Sequence, residues 1–152
     1  MKKQIITTSA EATIKLAEAI GRKLRGGEVI ELSSDVGGGK TTFVKGLARG
    51  TETTDNVASP TFVLNKVYKG KNGVTIDHFD FYRLNDPGIM QDSLADVLKS
   101  GSVVVVEWSD KVANVLPTER LQVKLQVEGK NQRNITLKAV GAKHEKLIKD
   151  LI

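Results

Sequence analysis

The chain has 152 residues, a formal charge of +5 and no cysteine. That length suits one domain with one substantial core, and the missing thiols exclude a disulfide scaffold, a cysteine-ligated metal site and a cluster. The longest apolar run, Val103–Val106, is far short of the roughly 20 residues that cross a bilayer. Gln4–Thr7 is the first strand candidate, and Thr8-Ser9-Ala10-Glu11 has the Thr-x-x-Glu form of a capping box. Ala12, Leu16, Ala17, Ile20 and Leu24 follow at helical spacing, and Gly26-Gly27 punctuates the end. Glu28–Ser34 reads as a strand, a glycine cluster follows, and residues 40–48 read as a helix.

Phe62–Tyr68 and Val74–Asp80 are strand-like runs around Asn72-Gly73, a strong hairpin signal. Asp86-Pro87 has the form of a cap and first helical residue before a helix over Met90–Lys99. Val103–Val106 has the unbroken apolar character of a buried parallel strand. Leu121, Val123, Leu125 and Val127 alternate with polar residues, as do Ile135, Leu137 and Ala139, so a second hairpin with one solvated face is expected. Ala142–Ile152 closes the chain as a short helix. The fold class expected is α/β, a mixed sheet flanked by helices with antiparallel hairpins, in one domain spanning residues 1–152. Met1-Lys2-Lys3-Gln4 lacks the apolar run of a signal peptide, and the expectation is a soluble, cytoplasmic protein.

Chemistry concentrates at Ser34–Thr42. The segment matches G-x-x-x-x-G-K-[ST] except that Ser34 stands at the first glycine, and it lies between a strand and a helix as a phosphate-binding loop must. Asp35, Val36, Gly37, Gly38 and Gly39 form the wrap whose N–H groups would face a phosphate chain. Lys40 would reach the β- and γ-phosphates, Thr41 would ligate Mg²⁺, and Thr42 would bond an α-phosphate oxygen. A small residue such as Ser34 fits the first position if the backbone there is extended.

An acidic partner for Mg²⁺ is expected at the end of a neighbouring parallel strand, where Glu107 follows Val103–Val106. Glu107 could hold the metal through a water or activate the attacking water. In His78-Phe79-Asp80-Phe81-Tyr82-Arg83, alternation puts His78 and Asp80 on one face. Asp80 would then position water, with His78 orienting it or serving as a core residue. Ser59-Pro60-Thr61 occupies the place of a γ-phosphate-sensing loop, with Thr61 its hydroxyl. Trp108 reads as packing.

These elements together resemble the TsaE family of bacterial tRNA threonylcarbamoyladenosine biosynthesis. The family's G-D-L-G-A-G-K-T-T loop is similar to Ser34–Thr42, its S-P-T-[FY] to Ser59–Phe62, its H-F-D-L-Y-R-L to His78–Leu84 and its V-E-W to Val106–Trp108. The resemblance covers residues 5 to 140 in order and implies a P-loop NTPase-like fold and a Mg²⁺-dependent ATPase acting with TsaB and TsaD, with tRNA met through that complex rather than directly and no membrane involved. It also implies that Thr41 and Glu107 are metal ligands, that Asp80 is catalytic or metal-linked, and that Arg133 of the C-terminal hairpin approaches the nucleotide. Two other readings compete: a nucleotide-binding interaction module without turnover, motivated by Ser34, and a small-molecule or nucleoside kinase. The kinase would need an arginine-rich lid, and the arginines are scattered. Basic charge gathers late, with a net +5 over residues 120–152, so the C-terminal hairpin and helix are the surface expected to face any nearby tRNA.

Overall fold

The structure is a computed structural model that describes residues 1–34, 37–57, 65–81 and 88–151, with only the backbone described at 88–90 and 111. Seven strands form one mixed sheet: β1 (Lys2–Thr7), β2 (Val29–Ser34), β3 (Asn65–Lys69), β4 (Thr75–Asp80), β5 (Val103–Glu107), β6 (Leu121–Val127) and β7 (Arg133–Ala139). Their order across the sheet is β1-β7-β6-β2-β5-β4-β3. The central neighbours β6, β2, β5 and β4 run parallel, while β3 and the β7–β1 pair are antiparallel at the margins.

Every residue of β5 is buried because both its neighbours and both its faces are covered. Val103 and Val105 join the core under α1 (Ala10–Gly21), α2 (Lys40–Gly50) and α4 (Ala142–Ile148). Val104 and Val106 instead join Phe79, Phe81, Leu94 and Val112, beneath α3 (Gly88–Leu98) and a 3₁₀ turn at Ser109–Val112. Alternation along β4 therefore sends His78 and Asp80 to the α1/α2 face and Phe79 to the other, as expected.

Helix limits differ from the sequence reading at several ends, α2 running on to Gly50 and α3 spanning Gly88–Leu98 rather than Met90–Lys99. Ser9, not Thr8, caps α1: its Oγ accepts the Ala12 N–H at 3.0 Å, which moves the start one residue on and places Glu11 one position short of the reciprocal capping-box bond. The helix ends at Gly21 rather than at Gly26-Gly27; there an α2 backbone carbonyl, Leu47 O, approaches too closely for any Cβ. Helix α4 stops at Ile148, short of the chain end. The β3–β4 hairpin forms as read, with Asn72 and Gly73 at φ 60° and 76°, a turn matched to the sheet twist. Asp86 and Pro87, and the first residues of the run begun at Phe62, lie outside the described residues.

Candidate nucleotide-binding site

Strand β2 delivers the loop and α2 receives it. Ser34 is the last residue of β2, paired in register with Leu125, so its backbone is extended and the serine sits there without strain. Positive φ falls on true glycines, at 80° for Gly37 and 103° for Gly39, the latter the residue before α2. A Cβ built on Gly37 would meet nothing within 4 Å, so the loop keeps an open side. Asp35 and Val36 lie outside the described residues, as does Thr61.

Lys40 opens α2 and is nearly buried. Its Nζ donates to Ser34 O at 3.4 Å and stands 4.4 Å from the centroid of the Trp108 ring. A cation held by one long carbonyl bond and a π-face is weakly committed, and an anionic phosphate would be the better partner. Trp108 follows Glu107 in a left-handed conformation, φ 58° and ψ 50°, which a bulky residue adopts at a cost of order 1–3 kcal/mol. Sequence reasoning took Trp108 for packing. The signal that it belongs to the loop, a strained backbone over the lysine, exists only in three dimensions.

Glu107 and Asp80 are register partners on adjacent parallel strands, which brings the two carboxylates expected from distant segments side by side at the loop end of the sheet. Glu107 is 2 % exposed. Its Oε2 meets His78 Nε2 at 2.6 Å. That contact corrects one expectation: the ring reaches across the sheet to Glu107 and not along its own strand to Asp80, because β4 and β5 place Val105 opposite His78 and Glu107 one step further on the same face. Asp80 is half-buried at the mouth.

Arg133 arrives from the start of β7. Its Nε donates to Gly38 O at 3.1 Å, pinning the C-terminal hairpin to the glycine loop. Beside that contact a cleft of about 70 Å³ is lined by Ser9, Thr13, Gly39, Thr42, Asn131 and Arg133. Lys40, Thr41 and Thr42 from α2, Glu107 from β5, Asp80 from β4, Arg133 from β7 and the loop glycines Gly37–Gly39 therefore gather at one end of the sheet. The arrangement fits a Mg²⁺–nucleotide: a glycine wrap, a weakly held lysine at a helix N-terminus, a hydroxyl next to it, and two carboxylates on neighbouring strand ends. Among the described residues no group of three or more His, Asp or Glu side chains is placed to hold a metal ion.

A family model described as "Threonylcarbamoyl adenosine biosynthesis protein TsaE" matches residues 7–135. The chain is 37% identical over 147 residues to the tRNA threonylcarbamoyladenosine biosynthesis protein TsaE of Bacillus subtilis, covering 95% of this chain and 90% of that one. It is also 37% identical over 133 residues to the protein of the same name from Treponema pallidum, covering 87% and 97%. The crystal structure of Bacillus subtilis YdiB superposes with a TM-score of 0.81 at 31% identity, covering 99% of this chain and 94% of that one.

Proposed function

The chain belongs to the TsaE family, and from that premise we propose that it is a single-domain, Mg²⁺-dependent ATPase serving threonylcarbamoyladenosine modification of tRNA. The observation that carries the reading is the meeting of the glycine loop, Lys40, Glu107, Asp80 and Arg133 at one end of the sheet. Lys40 and the loop amides bind the phosphate chain, Thr42 lies toward its α-end, and the small cleft beyond Thr42 receives the sugar end. Thr41 and Glu107 would hold Mg²⁺, which would supply charge neutralisation to the phosphate chain. Asp80 orients a water and takes its proton as the water oxygen attacks the γ-phosphorus and the β–γ bridge breaks. Thr61 senses the γ-phosphate, and Asp35 and Val36 complete the wrap.

No second substrate pocket is needed. The protein works in the cytoplasm on TsaB and TsaD, its turnover resetting them, and meets tRNA through them. The two carboxylates at the loop favour turnover over a passive binding module, and the arginines, scattered along the sequence, do not form the rich segment a kinase lid would need.

ATP hydrolysis is measured with and without TsaB and TsaD, together with threonylcarbamoyladenosine formation on tRNA. Turnover that rises with the partners, falls about 10²–10⁴-fold in Asp80→Asn and vanishes with nucleotide binding in Lys40→Ala is expected. Wild-type protein that binds ATP and never hydrolyses it returns the reading to a binding module; phosphoryl transfer to a nucleoside would make it a kinase.

A further inference from the structure

His78 is a fully buried polar residue at the centre of the site with one hydrogen bond among the described residues, from Nε2 to Glu107 Oε2 at 2.6 Å. Its Nδ1 is buried and meets no hydrogen-bond partner among the described residues. Tyr68, itself fully buried, packs beside the ring with centroids 6.2 Å apart and planes tilted by 41°. A carboxylate oxygen stands 2.6 Å from Nε2, whereas Nδ1 has no acceptor among the described residues, so Nε2 is the nitrogen placed to donate. The donor then points at Glu107. Among the described residues this is the only hydrogen bond that the Glu107 carboxylate makes, and it engages one oxygen, Oε2.

We propose that His78 is a positioning residue: its Nε2–H fixes Oε2 of Glu107 so that Oε1 is the oxygen offered to the magnesium of a bound nucleotide. The inference rests on the ATPase reading above and deepens it. A glutamate on a strand end has three χ angles to fix, and a short bond from one carboxylate oxygen to a fully buried ring restricts them. Partners of this kind, which orient a ligand without touching the metal, typically govern about 10–100-fold in metal affinity. Position is what matters: glutamine can place an amide N–H where Nε2 stands, and asparagine, one bond shorter, cannot.

The test is ADP binding by the full chain over a Mg²⁺ titration, read by calorimetry, in wild type, His78→Gln, His78→Asn, Glu107→Ala and the double variant. Expected is a Mg²⁺ half-saturation raised about 10–100-fold in His78→Asn, largely recovered in His78→Gln, with ADP affinity in the absence of metal held within about 2-fold. His78→Asn should add nothing to Glu107→Ala, because a positioning residue has nothing left to position. The two amide variants have similar polarity, so a difference between them reports geometry rather than loss of fold. Equal Mg²⁺ dependence in wild type and His78→Asn, an undiminished defect in His78→Gln, or additive effects in the double variant overturns the proposal alone. Wild-type ADP binding indifferent to Mg²⁺ overturns the ATPase reading and this proposal with it.

Discussion

Trp108 shows how one residue can report on the whole site. It is the only tryptophan in the chain, its backbone is left-handed, and its ring carries the Lys40 ammonium at 4.4 Å. A phosphate that draws Lys40 into the loop must lift that charge from the indole. Adding ATP or ADP should therefore change the intrinsic fluorescence in a saturable way, and Lys40→Ala should change the nucleotide-free spectrum and abolish the response. An unchanged spectrum at saturating nucleotide, with binding shown by calorimetry, would mean the lysine does not move. Glu31 serves structure rather than chemistry. Burial pushes its carboxyl up, but donors from Ser109, Gln122 and Arg120 outweigh that and hold it below the usual range. It ties β2 to β6 and to the 3₁₀ turn that follows Trp108.

At the scale of elements, α1 and α2 meet backbone to backbone. A Cβ on Gly46 would lie 2.5 Å from Ala17 Cβ and from Ile14 O, and one on Gly50 would lie 2.5 Å from Glu18 O. Gly46→Ala improves intrinsic helix propensity by about 1 kcal/mol, yet the clash with a neighbouring backbone costs about 1–3 kcal/mol. The clash wins, so the variant should melt lower, by about 2–4 °C per kcal/mol lost. A stabilised Gly46→Ala would show that the helices can part without cost. Helix α4 docks through His144, whose Nε2 accepts the Val29 N–H at 3.0 Å. Burial first, with Lys143 adding to it against the pull of Glu28 and Glu119, sets its pKa below the usual 6.5. A lowered folded value means the unfolded chain binds the proton more readily. Stability from this contact is present above about pH 6.5 and drains as pH falls below it. Urea unfolding between pH 7.5 and 5.5 should show that slope, and His144→Gln, which keeps an acceptor but no titrating ring, should flatten it.

Across the whole molecule, residues distant in sequence close on the glycine loop from both sides, Glu107 and His78 through the parallel sheet and Arg133 through the β6–β7 hairpin. Nucleotide should therefore stabilise the entire fold, by about 2.7 kcal/mol at a hundred times its Kd. Arg133→Ala should cut that gain if Arg133 turns from Gly38 O to the phosphates, since a charged hydrogen bond is worth about 1.5–3 kcal/mol. A thermal-shift series with Mg²⁺–ADP checks both; a shift unchanged in Arg133→Ala would confine the arginine to holding the loop. The basic C-terminal stretch divides in space. Lys143 donates to Gly26 O at 3.3 Å, before β2 begins and so at the end of the sheet away from the loop. Lys23 meets Asp150, and Lys3 binds the carbonyls of Lys149 and Leu151. The cations that tie down the C-terminus are thus N-terminal lysines, outside that basic stretch.

The local pattern of residues was enough to place the strands, both hairpins and the glycine loop, because periodicity, Asn-Gly and G-K-T express constraints that act within a few residues. It was also enough to single out Lys40, Glu107 and Asp80, since each sits at an end of an element whose type is locally encoded. Which carboxylate His78 would touch was not legible. Alternation puts His78 and Asp80 on one face, and only the β4–β5 register sets Glu107 within 2.6 Å of the ring. The end of α1 at Gly21, the left-handed Trp108 over Lys40 and the reach of Arg133 to Gly38 belong to the same class. Each depends on contact between segments far apart in the chain, and no local propensity carries the register of one strand against another or the approach of two helix backbones.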